Sequence, residues 1–122
     1  DDKGARKMSF AKETEKLVQD LIQAEYKNAC NNWGEMYNSL HEGYAVLLEE
    51  LEEAKSEFDK LVINTERIWK EIKDFNNSFN DRNELICLCK KATDHTYDTI
   101  SELAQCGAVL MKIRNTISEE KE

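Results

Sequence analysis

Residues 41–57 read HEGYAVLLEELEEAKSE, and their carboxylates are the densest set of chemically active groups in the chain. Val46, Glu50, Glu53 and Glu57 fall at i, i+4, i+7 and i+11, one line along a helix. That line adjoins the apolar line Leu47, Leu51, Ala54 and Phe58, so Glu50 and Glu53 border the face expected to pack. Glu49 stands near Glu53 and Glu42 by the same spacing, and like charges so placed repel by roughly 0.2–0.5 kcal/mol per pair. Lys55 is the only base between Glu42 and Glu57, whereas the later ERIWKEIK alternates in sign. Acids left unpaired in this way favour a cation.

Asp98 and Glu102 form a second acidic pair one helical turn apart, with Glu102 beside Leu103 on an apolar face. In an antiparallel bundle they would face Glu50 and Glu53 across the groove. Three or four carboxylate oxygens converging at about 2.1 Å suit Mg²⁺, which keeps waters and takes its remaining ligands from substrate phosphates. The chemistry implied is nucleotide-phosphate hydrolysis, with a polarised water attacking phosphorus and a spare glutamate removing its proton. Glutamate runs on helices are also the ordinary pattern of a solvated face, and periodicity does not separate the two readings.

The elements that must position these acids are helical. The 122 residues include no proline and four glycines, with 34% charged and 40% hydrophobic residues. That composition favours long helices over a β sandwich. Leu17, Val18, Leu21, Ile22 and Ala24 mark a first helix over about 11–29, and CNNWGEMYNS reads as a loop of turn formers. Ser39 with Glu42 has the spacing of a capping box. From there an apolar stripe runs from Tyr44 to Phe75, either one long helix or two with a break near 62–65, where Val62, Ile63 and Thr65 are β-branched. DFNNSFNDRN (74–83) reads as the next loop, with Asp81 and Glu84 capping a last helix that reaches about Ile117. The expectation is an all-α bundle of three to four long antiparallel helices, completed by dimerisation because the stripes exceed what one chain can cover.

The first seven residues, DDKGARK, read as the remnant of an acidic cleavage tag, leaving one domain over 8–117 and a polar tail at 118–122. No apolar run approaches the ~20 residues of a membrane span, and no secretory signal is visible. A cytoplasmic protein with no membrane partner is expected. The net charge of −8 argues against nonspecific nucleic-acid binding. Cys30, Cys87, Cys89 and Cys106 are read as reduced thiols. The Cys87–Cys89 pair lacks a second pair for a zinc knuckle, and on a helix the two point about 200° apart.

The stretch HEGYAVLLEELEEAK, with NSLHEGYAV, ERIWKEIK and the later SELAQCGAVLMKI, resembles the MazG-like all-α NTP pyrophosphatases, in particular small phage-type members. That superfamily carries E-x-x-E on one helix and E-x-x-D on a later one. The resemblance spans roughly residues 30–117. It implies that Glu50 and Glu53, with Glu102 from the later helix, hold Mg²⁺ (or Mn²⁺), and that Glu49 and Glu50 serve the attacking water. It implies a nucleoside triphosphate substrate, a nucleoside monophosphate and pyrophosphate as products, and a homodimer or homotetramer. Two departures stand out. Gln105 replaces the expected Asp, so a fourth ligand would be that neutral amide oxygen or Asp98. The gap from Glu53 to Glu102 is also longer than in compact members. The alternative implied is a catalytically inactive helical protein of this fold, of the phage-encoded kind, that binds a nucleotide or a host protein.

For the substrate, His41 and Tyr44 lie about one turn apart just before the first motif, Trp33 offers a stacking surface, and Lys112 and Asn115 follow the second motif. Each also has a plain reading as a surface or packing residue. His95 has no evident partner and is read as surface. There is no Gly-rich phosphate loop, and two histidines with no nucleophile motif give no Ser–His–Asp set.

Overall fold

The computed structural model describes residues 2–120, with side chains described from 11 to 119. Its order is α1 (Asp2–Trp33), α2 (Leu40–Lys73) and α3 (Phe79–Glu120), with no strand among the described residues. α1 therefore begins inside the tag-like segment, and α3 continues to Glu120 through part of the expected polar tail. α2 is a single helix, which decides the open question at 62–65. Thr65 Oγ1 donates to Leu61 O at 2.9 Å, so its hydroxyl is satisfied inside the helix rather than breaking it.

The caps explain the boundaries. Glu42 N donates to Ser39 Oγ at 3.1 Å, as the capping box requires. α3 is capped by Ser78 instead of Asp81: Asp81 N donates to Ser78 Oγ at 3.1 Å. Asp81 Oδ2 in turn accepts from Asn76 N at 3.1 Å, tying down the short loop. Asn77 takes the left-handed conformation (φ 64°), as its short amide side chain allows. α1 ends at Gly34, whose φ of 88° and Gly34 N to Cys30 O bond of 2.9 Å make a left-handed C-cap.

The chain divides into two compact units, residues 49–103 and residues 1–48 with 104–122. The first unit is the α2–α3 hairpin. Its inward line on α2 is Glu50, Ala54, Glu57, Leu61, Asn64, Ile68 and Glu71, all buried or half-buried. The alternating steps of four and three are those of a heptad seam. Every seventh residue on that seam is polar: Glu50, Glu57, Asn64 and Glu71. α3 answers with Asp81, Leu85, Leu88, Ala92, His95, Thr99 and Glu102 in the same rhythm. The large apolar residues of the sequence stripe lie one position round. Leu51, Phe58, Val62, Trp69 and Ile72 form a second seam, and all of them are exposed.

The second unit packs α1 against the start of α2 and the end of α3. Its buried positions are small or polar: Ala104, Cys106, Ala108, Lys112 and Thr116. Helices approach closely at two glycines. A Cβ on Gly43 would stand 2.9 Å from Ile113 Cγ1, and one on Gly107 would stand 3.0 Å from Ile22 Cδ1. Among the described residues no helix is long and apolar enough to cross a membrane.

Candidate metal centre

Three of the acids singled out by spacing meet in the α2–α3 hairpin. Glu50, Glu53 and Glu102 each offer a carboxylate oxygen, all within 4.8 Å of one another. Glu50 and Glu102 are half-buried because they occupy the inward seam, while Glu53 is exposed at its rim. Glu102 Oε2 is shut off from solvent without a hydrogen-bond partner. The Glu102 carboxyl titrates above the ordinary carboxylate range. Burial is the main cause, followed by the hydrogen bond that the protonated Glu102 carboxyl donates to Glu53 and by the charges of Glu53, Glu50 and Glu57. Crowded acids with an orphaned buried oxygen are the electrostatic condition that a hard divalent cation relieves, and an all-oxygen donor set fits Mg²⁺. Gln105 is half-buried on α3, three residues after Glu102. Glu49 is exposed beside Glu50.

Asp98 falls in a different group. With Glu57 and His95 it forms a second cluster whose ligand atoms lie within 4.8 Å of one another. His95 Nδ1 is 3.3 Å from Glu57 Oε2, and Lys60 Nζ is 2.9 Å from Glu57 Oε1. The Glu57 carboxyl is held below the ordinary range, chiefly by its hydrogen bond from Lys60, against a smaller opposing effect of burial and with further help from His95. The surface reading of His95 is thus corrected: it is half-buried and paired. The missed signal is the heptad, since Glu57 stands seven residues after Glu50 and His95 seven before Glu102.

The residues suggested for substrate lie in the other unit. Trp33 is 80% exposed and Tyr44 60% exposed, and His41 is exposed in the first turn of α2. Trp33 is therefore a surface residue rather than a packing one. Lys112 is only 5% exposed. Its ammonium reaches Trp33 O at 3.5 Å and sits 4.3 Å from the centroid of the Tyr37 ring, a cation–π contact. No carboxylate pairs with it among the described residues. The Asn115 amide donates to the Tyr26 hydroxyl. That hydroxyl titrates above its ordinary value, first through its hydrogen bond with Cys30 and then through burial. The four cysteines are free thiols, and none joins a metal-competent cluster among the described residues.

Comparison with protein-family models, with curated proteins and with solved structures finds no match.

Proposed function

We propose that this chain is a Mg²⁺-dependent nucleoside triphosphate pyrophosphohydrolase that works as a helical dimer. The observation that carries the reading is the Glu50–Glu53–Glu102 triad, with the sealed Glu102 Oε2 at its base. Glu50, Glu53 and Glu102 would hold the ion through one oxygen each. When bound, the ion supplies charge neutralisation and a polarised water. Glu49, exposed on α2 next to Glu50 in sequence, would accept a proton from the attacking water. The new bond joins water oxygen to the α-phosphorus. The α–β bridge then breaks, and pyrophosphate leaves with the bridging oxygen. Exposed Glu53 keeps one side of the triad accessible to a triphosphate.

Support for the dimer comes from the second, exposed seam on α2. Among the described residues no large side chain is fully buried, yet Leu51, Phe58, Val62, Trp69 and Ile72 line one exposed face of a single helix. A second copy would cover that face in coiled-coil fashion.

Gln105 favours a second reading, a binding protein without turnover, because a neutral amide adds no charge to a metal site. The test is pyrophosphate release from a panel of NTPs and dNTPs with Mg²⁺. The enzyme predicts release with at least one nucleotide, falling by about 10²-fold or more in Glu53→Gln. No release from any nucleotide, together with retained nucleotide binding by calorimetry, selects the binding protein.

A further inference from the structure

Glu57, His95 and Asp98 are not absorbed by that reading. They lie on the same hairpin as the acid triad, one turn beyond Glu53 on α2 and one turn before Glu102 on α3. Their composition differs, because an imidazole joins two carboxylates. The local charge is strongly negative. Glu50, Glu53, Glu57, Asp98 and Glu102 line this stretch, and the Lys60 ammonium contacts Glu57. Asp98 has no cationic partner among the described residues.

We propose that Glu57, His95 and Asp98 form a second cation site, selective for a borderline divalent ion of the Zn²⁺ class over Mg²⁺. The geometry supports it directly. His95 Nδ1 and Glu57 Oε2 are 3.3 Å apart. Two donors at that separation, each about 2.05 Å from a zinc ion, subtend about 107°, close to the tetrahedral angle. Asp98, exposed and lacking a base, closes the third position by a small side-chain rotation, and water takes the fourth. Lys60 is half-exposed and swings from Glu57 Oε1 into solvent when the ion enters. The imidazole sets the selectivity. Nitrogen donors suit Zn²⁺, Co²⁺ and their neighbours, whereas Mg²⁺ seeks oxygen and gives up its waters reluctantly.

The site stands apart from the hydrolase reading, and its test keeps the two distinct. The full-length protein is titrated with Zn²⁺ by calorimetry in millimolar Mg²⁺, and with Co²⁺ by visible absorption. The expected result is one Zn²⁺ per chain bound in the presence of Mg²⁺, with a Co²⁺ d–d spectrum of low coordination number. Affinity should fall at least about tenfold in His95→Gln and in Asp98→Asn, and stay within about twofold in Glu102→Gln. Circular dichroism confirms that each variant is helical, and the two independent variants guard against the misfolding of one. Zn²⁺ affinity unchanged in both would overturn the proposal, as would an equal loss in Glu102→Gln. A thiolate charge-transfer band with Co²⁺ would place the ion on cysteine and overturn it too. Pyrophosphate release measured in parallel reports on the acid triad alone.

Discussion

Glu57 meets His95 at 3.3 Å across the hairpin, one heptad layer from the place where Glu50 meets Glu102. Two neighbouring layers of one seam therefore hold carboxylates in opposite electrostatic states. Glu57 is surrounded by Lys60 and His95 and titrates low, while Glu102 is buried among acids and titrates high.

The two states give pH dependences of opposite sign. Between the ordinary carboxylate pKa and its raised folded value, Glu102 holds a proton in the folded chain that the unfolded chain has released. Stability therefore falls as pH rises through that window. Glu102→Gln should be more stable than the parent above the window and equal to it below. Glu57 stabilises above the ordinary carboxylate pKa, and that contribution is lost as pH falls through its lowered folded value. Glu57→Gln should lose stability at neutral pH, with the gap closing in acid. Urea unfolding from pH 3 to 8 measures both, and parallel profiles for the two variants would contradict the assigned environments.

Asn64 occupies the next polar layer. It is 7% exposed, and its Nδ2 has no hydrogen-bond partner. A buried donor left unmade costs roughly 1–3 kcal/mol. Leucine has the same branching, cannot leave a donor unpaired and is a better helix former. Asn64→Leu should therefore raise unfolding stability by about 1 kcal/mol. Thermal and urea melts check this, and a loss of stability would mean that the amide is satisfied in solution.

Helix content, the Ser39 cap and the shared face of Glu50 and Glu53 were legible because they rest on local spacing. Glu50 and Glu53 are three apart, so any helix places them on one side. Which face turns inward was not legible in the same way. The stripe from Tyr44 to Phe75 is wide enough for two heptad seams offset by one residue, and hydrophobicity alone favours the one with the larger side chains. The hairpin instead closes on the seam of Ala54, Leu61 and Ile68, carrying Glu57 and Asn64 inward with them. The His95 partner of Glu57 is on α3, so that pairing is a tertiary fact. That is why His95 read as a surface residue. The Ser78 cap was hidden for a simpler reason: Asp81 and Ser78 both have cap chemistry, and only the backbone conformation at Asn77 selects between them.

Gly43 tests the packing of the other unit. It is buried where α2 approaches Ile113 and Tyr37, and an added Cβ would stand 2.9 Å and 3.0 Å from their carbons. Alanine gains about 1 kcal/mol in intrinsic helix propensity. Overpacking against the branched Ile113 side chain costs about 1–3 kcal/mol. Gly43→Ala should be net destabilising by about 1 kcal/mol, and it should cost less in an Ile113→Ala background, which removes the crowding Cγ1. Urea midpoints for the two single variants and the double variant supply the cycle; a stabilised Gly43→Ala would show that the helices separate freely there.

The exposed seam gives the test of assembly. Phe58 and Trp69 are 52% and 58% exposed and sit on the same face of α2, with Leu51, Val62 and Ile72 between or beside them. In a monomer, placing charge on this face removes apolar surface from water and should be neutral or mildly favourable. In a dimer that buries it, each aromatic anchor is worth about 2 kcal/mol, so one charged replacement should weaken association at least about thirtyfold. Sedimentation velocity on the parent chain should give a dimer at micromolar concentration. Phe58→Glu and Trp69→Glu should each shift it to monomer while keeping the helical circular dichroism signal. A monomeric parent would remove the dimer from the reading and leave the acid triad, which lies within one hairpin, standing on its own.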